Sequence, residues 1–240
     1  MNKHLRVTGV LFAKEAKDLL ANRNVSYMLL LPLLATALYR FVLPDMPPDS
    51  TLLIGFVTTL SMVPVCVLSM TIAEEKEKNT LRTLMLANVT GGEFLAGKCL
   101  TVGLCTLFLA GVAFLLAAGP LSALPLFLLL AAGGSMGILF LGALVGLSCR
   151  DQVSASMVGV PLELFLMVTA LLEDLGGIWA VLARLNPAQV TMELYFRLTH
   201  AYPAEELYSA AWCVGVLAVW ALAGIGAFVL VYRKKGIDEG

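Results

Sequence analysis

Apolar residues gather into six stretches along this chain, near 25–43, 51–73, 98–118, 123–147, 154–172 and 207–231. A helix needs about 20 mainly apolar residues to cross a hydrocarbon layer of roughly 30 Å, and each stretch meets that length. Stretches three and four are separated only by Gly119-Pro120-Leu121-Ser122, which leaves room for a tight turn and predicts a hairpin. The first 24 residues have a different pattern. On a helical wheel Leu5, Phe12, Ala16, Leu19 and Leu20 share one face and Arg6, Lys14, Lys17 and Asp18 the other, with Val10 and Leu11 towards the polar side. That stripe predicts an amphipathic helix lying in the membrane interface, and charges scattered through its apolar positions argue against a cleavable signal peptide. After the fifth stretch, Glu173-Asp174-Leu175-Gly176-Gly177 opens a segment too apolar for an ordinary loop and too interrupted for a span. It reads as two short amphipathic helices, 179–185 and 188–198, broken at Asn186-Pro187. Half-helices of this kind either dip into the leaflet, where protein or water must satisfy their ends, or cap the surface. The expected fold is an all-α integral membrane protein.

Composition agrees. With 59% hydrophobic and 14% charged residues and a mean hydropathy of +0.88, the 240 residues carry too little polar surface to coat a soluble globule. A net charge of −1 argues against nucleic acid as a partner, since a binder needs a basic stripe to displace the counterions of phosphate. Cys66, Cys99, Cys105, Cys149 and Cys213 have neither paired nor ligand spacing and read as small core hydrophobes. His4 and His200 have no companions at metal spacing, so no metal site is expected. Lys and Arg are retained on the cytoplasmic side. With the N-terminus inside, only Arg40, Arg184 and Arg197 of the 16 Lys and Arg residues fall outside, so both termini and the 74–97 and 148–153 loops are expected in the cytoplasm. Arg40, at the end of the first span, can snorkel to the headgroups.

Chemistry concentrates in a few places. Between spans 2 and 3 comes Glu74-Glu75-Lys76-Glu77-Lys78-Asn79-Thr80-Leu81-Arg82-Thr83-Leu84-Met85-Leu86, a dense charge cluster followed by apolar knobs. Glu74 and Lys78, four apart in the favourable order, extend span 2 as a helix. Asn79-Thr80 breaks it, and Thr80 can cap a short helix over 81–87 with Leu81, Leu84 and Met85 on one side and Arg82 elsewhere. That helix either docks a soluble partner or lies among the headgroups. Thr90-Gly91-Gly92-Glu93 has capping-box spacing and starts the next helix. Gly92-x4-Gly97-Lys98 mimics a phosphate-binding loop, but Cys99 stands where Ser or Thr must hold magnesium and no strand precedes it. No ATPase is expected in the chain itself. In span 4, Gly133-x3-Gly137 and Gly142-x3-Gly146 allow close helix approach, within the subunit or between subunits. Glu163, just after Pro161, falls near the centre of span 5. A carboxylate there costs about 2.5–3.5 kcal/mol on insertion scales. It is either a polar contact in a translocation path or subunit interface, or a protonated Glu beside the carbonyl that Pro161 frees.

Taken in order, these elements resemble the type-2 permeases of ABC transporters. The resemblance rests on a spanning helix followed by Glu75-Lys76-Glu77-Lys78-Asn79-Thr80, Thr80-Leu81 and Leu84, the run Glu93-Phe94-Leu95-Ala96-Gly97-Lys98, and Leu185-Asn186-Pro187 with Arg197 ten residues later. Asn79 stands where the family frequently has Gly; Asn tolerates unusual backbone angles nearly as well. The resemblance implies a single permease domain over 1–240. It divides into a 1–24 interfacial elbow, 25–73 spans 1–2, a 74–97 cytoplasmic coupling loop, 98–172 spans 3–5, a 173–206 outer re-entrant segment, and 207–240 span 6 and tail. It further implies that Glu74, Glu75, Glu77, Thr80, Leu81, Arg82, Leu84 and Met85 form the interface with a cytoplasmic ABC ATPase subunit. ATP and Mg would stay on that partner, with no cofactor bound here. Asn186, Pro187 and Arg197 would belong to an outer gate, and a second permease subunit and membrane lipids complete the expected partners. The implied activity is ATP-driven export of a hydrophobic or amphipathic peptide, drug or lipid-like molecule. A proton-coupled transporter or channel centred on Glu163 is the alternative, though the spans lack the further ionisable groups it needs. An intramembrane enzyme would need paired catalytic groups at membrane depth, and only Glu163 is available.

Overall fold

The structure, a computed structural model, describes residues 12, 14–19, 21–43, 45, 47–80, 86, 90–202 and 207–235, with backbone alone for 232–235. The helices are α1 (Arg23–Phe41), α2 (Pro48–Met62) continued through a π-turn (Val63–Val67) into α3 (Leu68–Glu77), α4 (Gly91–Leu116), α5 (Leu124–Ser148), α6 (Gln152–Leu171), α7 (Gly177–Leu185), α8 (Pro187–Leu198) and α9 (Ala210–Lys235). No strand occurs among the described residues. Six helices are long and apolar enough to cross a bilayer: α1, the α2–α3 rod, α4, α5 with its leading 3-10 turn, α6 and α9.

The apolar pattern therefore marks the spans in their observed order, but helices outrun it where polar residues cap them. The α4 helix begins at Gly91, seven residues before the apolar stretch, because Thr90 and Glu93 close the expected capping box. Likewise α3 carries span 2 on to Glu77, and Asn79 then takes the left-handed conformation, φ +56°, that Asn accepts at modest cost. The described part of the elbow, residues 14–19, is helical, and Leu19 packs into the core beside Val25, Leu68 and Phe94.

Sequence pattern did not disclose the π-turn. Pro64 removes one backbone donor and sits where the ladder widens. The widened turn pushes its backbone towards α5, and Gly142 makes the room, since a Cβ there would lie 2.0 Å from the Pro64 carbonyl oxygen. One turn further, Gly146 meets Ser69 and Ile72, and Gly137 meets the backbone of Trp220 in α9. The small residues of α5 thus serve packing inside the subunit at Gly137, Gly142 and Gly146. Gly133 faces open space, and its neighbour Gly134 takes the contact with Thr191 of α8.

Away from the charged 74–78 segment, α8 is driven into the bundle. Nine of its residues, Pro187–Ala188–Gln189–Val190–Thr191–Met192 and Leu194–Tyr195–Phe196, are buried. Tyr195 stacks edge-on against Phe127 at 5.4 Å, and Phe127 meets Phe56 at 5.1 Å and Phe114 at 4.6 Å. This aromatic cluster locks α2, α4, α5 and α8 together. By contrast α7 stays peripheral, with only Ala183 buried.

Candidate functional site

The charged end is a hub in which successive side chains of one short segment reach different elements. Glu74 accepts from Asn22 Nδ2, the cap of α1, at 2.8 Å and pairs with Lys78. Glu75 is buried and accepts from Lys14 of the elbow at 2.5 Å and from Lys98 of α4 at 3.5 Å. Lys76 Nζ donates to the carbonyls of Gly146, at 3.3 Å, Leu147, at 2.9 Å, and Cys149. It thereby supplies positive charge where α5 leaves its last carbonyls unpaired. Glu77 accepts from the Gln152 N–H at 3.1 Å, placing negative charge at the first turn of α6. Thr80 donates its hydroxyl back to Glu75.

At the heart of the hub Lys98, 3% exposed, is held by Glu15 at 2.5 Å. Glu15, Asp18 and Glu75 bring their oxygens within 4.8 Å of one another, and the ammonium groups of Lys14 and Lys98 bridge them, two positive charges against three negative. Burial works against the Lys14 charge, yet the hydrogen bond from Lys14 to Glu75 and the charges of Glu15 and Glu75 outweigh it and lift its pKa above the ordinary lysine value. A cavity of about 490 Å³ lies beside this network, between the elbow and α3. Neither Glu15 nor Lys98 was singled out as a functional residue from the sequence. The signal was present: Glu15 falls four residues before Leu19, and Lys98 lies four from both Phe94 and Val102. Each is a charge on an apolar helix face, and such a charge requires a partner.

Leu81, Arg82, Leu84 and Met85, the expected docking knobs, lie outside the described residues. Leu86 beside them is helical and 79% exposed. Glu163 lies on the face of α6 formed by Ala155, Gly159, Leu166 and Ala170, all buried. One turn earlier on that face, Gly159 looks onto Ser69 Oγ and Cys66 Sγ of span 2. The carboxyl thus points into the subunit towards the π-turn, while Leu164 and Phe165 face outwards. Pro161 lies inside α6, which continues through it.

Away from the hub, Asn186 and Pro187 begin α8 and Arg197 lies in its last turn. Asn186 is buried and caps α8 by accepting from the N–H groups of Ala188, at 2.9 Å, and Gln189, at 3.4 Å. Its Nδ2 donates to the Leu166 carbonyl at 2.6 Å and to Thr169 Oγ1 at 2.9 Å, pinning the α7–α8 corner to α6. Pro187 occupies the first helical position, where a missing N–H costs nothing. Arg197 reaches the Tyr208 carbonyl at 3.1 Å, tying the end of α8 to the approach of α9. Trp212 and Trp220 of α9 donate their indole N–H groups to the Arg184 and Leu185 carbonyls at the end of α7.

Six bilayer-length helices, a charged hub at one end and a buried helical corner at the other make this a multi-pass membrane protein. The chain belongs to the ABC-2 family of transporter proteins: residues 49–231 match the family described as ABC-2 family transporter protein. Membership makes it a transport component rather than a catalyst and implies an ABC ATPase partner and a lipid environment. A comparison with curated proteins returned no match.

Proposed function

We propose that this chain is the membrane-spanning subunit of an ATP-driven exporter in the plasma membrane, with both termini in the cytoplasm. It works as a pair of permease subunits, identical or related, with separate ATPases that hold the ATP and Mg. The cargo is a hydrophobic or amphipathic peptide, drug or lipid-like molecule. Sidedness follows from the distribution of Lys and Arg, which puts the 74–78 hub inside and the α7–α8 corner outside.

The observation that carries the reading, beside family membership, is the connectivity of the hub. Glu74, Glu75, Lys76 and Glu77 end on the α1 cap, the elbow and α4, the end of α5 and the start of α6. A displacement of the segment after Thr80 therefore pulls on all of these elements together. ATP binding by the partner would bias the bundle between two global states through its differential affinity for them. On the outer side, α8 seals the exit until the α6 contacts of Asn186 let go. The test is pull-down with an untagged ABC ATPase from the same genome neighbourhood. Wild-type protein is expected to retain the ATPase, and Leu84→Asp to lose both ATPase and transport while eluting as a folded species. No ATPase recovered with wild type, together with unchanged transport by Leu84→Asp, overturns the proposal.

A further inference from the structure

Where the ends of α2, α6 and α8 meet, away from the 74–78 hub, a cavity of about 250 Å³ opens. Its rim is acidic: Asp49 from the first turn of α2, Glu173 and Asp174 from the 3-10 turn after α6, and Glu193 from α8. Among the described residues that line it there is no Lys, Arg or His. Three of these carboxylates, Asp49, Glu173 and Glu193, are held in place. The Tyr202 hydroxyl donates to Asp49 at 2.7 Å, and the Tyr208 N–H donates to Glu193 at 3.2 Å. Gln189 Nε2 and the Tyr208 hydroxyl donate to different oxygens of Glu173. Apolar walls come from Leu53, Leu171 and Phe196.

Gln189 gives an independent sign of a ligand. It is 5% exposed and lines the cavity, its Nε2 is committed to Glu173, and its Oε1 has no hydrogen-bond partner among the described residues. Flipping the amide would set oxygen against the Glu173 carboxylate, so the orientation with Nε2 on Glu173 and Oε1 unpartnered is the favoured one. A buried acceptor without a donor is costly and rare in native proteins. Among the described residues that line it, the cavity offers no cation to its carboxylates and no donor to Gln189 Oε1.

We infer that the cavity binds a primary ammonium carried on an apolar stem, with Gln189 Oε1 and the carboxylates of Glu173 and Glu193 accepting its three N–H groups. A bare metal ion fits less well. Metals demand several oxygens converging on one point, and among the described residues the three-ligand convergence lies at the other end of the molecule, at Glu15, Asp18 and Glu75. Phe196, packed edge-on against Tyr202 at 5.3 Å, offers a ring beside the charge. Burial raises the Glu193 carboxyl above its usual range, against the Tyr208 N–H, and the Glu173 charge adds to the rise. The Arg184 guanidinium lies over the Tyr208 ring, 5.5 Å from its centroid, and is not part of the lining. The inference deepens the exporter reading and rests on it only for the origin of the amine, which is either an exported amphiphile or the headgroup of phosphatidylethanolamine.

The test uses the full chain in phosphatidylcholine nanodiscs, with dansylcadaverine as a fluorescent primary amine and its N-acetyl derivative as the neutral control. Anisotropy is expected to show saturable binding of the amine, at least tenfold weaker binding of the acetylated form, and a loss of tenfold or more in Gln189→Leu. Glu193→Gln, which leaves the amide contact with Glu173 intact, serves as a second variant should Gln189→Leu misfold, and is expected to bind several-fold more weakly. Competition by phosphatidylethanolamine doped into the discs identifies the lipid headgroup as the source; its failure to compete identifies a soluble amine. No saturable amine binding, equal binding of the two probes, or wild-type binding by the folded variants overturns the inference. The assay contains no ATPase, so its failure leaves the exporter proposal standing, and failure of the ATPase pull-down leaves this site standing.

Discussion

Replacing Lys98 by Met keeps the length of the side chain and removes its charge from the centre of the hub. In the native protein Lys98 is 3% exposed, Glu15 3% and Glu75 6%, so water does little to screen the pairs at 2.5 and 3.5 Å. Removing one member of a buried ion pair typically costs 3–5 kcal/mol, because the remaining charge stays desolvated. Here Glu75 keeps Lys14 at 2.5 Å and Glu15 keeps it at 3.3 Å, but that lysine side chain is 38% exposed and its help is partly screened. The expected cost is therefore at the lower end, about 3 kcal/mol. Adding Glu15→Gln to Lys98→Met removes the stranded carboxylate and should recover much of this, giving a coupling of about 2 kcal/mol in the double-mutant cycle. The assay is SDS titration in mixed micelles followed by circular dichroism, with Glu15→Gln alone as the fourth corner. A cost below about 1 kcal/mol for Lys98→Met, or costs that simply add in the double variant, would refute the view that these charges depend on one another.

Gly142→Ala places a methyl group 2.0 Å from the Pro64 carbonyl oxygen and should destabilise by about 1–3 kcal/mol or more as an overpacked site; Gly133→Ala, with nothing within 4 Å, should match wild type in the same titration. Asn186→Ala removes the cap of α8 and two bonds to α6, and is expected to cost about 1–2 kcal/mol and to expose the buried thiol of Cys213 to maleimide faster than in wild type. Acidification should weaken amine binding. Because the Glu193 carboxyl sits above its ordinary value, it protonates earlier as pH falls, so anisotropy titrations should show affinity declining before a normal glutamate would titrate; affinity that rises on acidification contradicts the assignment.

The spans, the Thr90 cap, the break at Asn79 and the corner at Asn186-Pro187 were legible because each is a local signal. A run of apolar residues, a Thr three positions before a Glu, or a residue tolerant of positive φ declares itself without knowledge of the rest of the chain. What stayed hidden depends on distant partners. The Lys98–Glu15 contact joins residues 83 apart, and the acidic cavity gathers Asp49, Glu173 and Glu193 from three elements. Gly134 and Gly133 cannot be told apart by spacing; only the position of Thr191 decides which of them is in contact. The π-turn was likewise invisible, since Val63-Pro64-Val65-Cys66-Val67 is as apolar as a regular span.

Every charged side chain of the 74–78 segment is already engaged within its own subunit, Glu74, Glu75 and Lys78 in ion pairs, Lys76 by backbone carbonyls and Glu77 by a backbone N–H. An ATPase seated beneath it would find little unspent charge to grip there, and its adhesion would have to come from greasy contact with the residues that follow. Such a complex should survive a wash in concentrated salt and come apart in a harsh detergent, the reverse of what the string of acidic and basic letters invites one to expect.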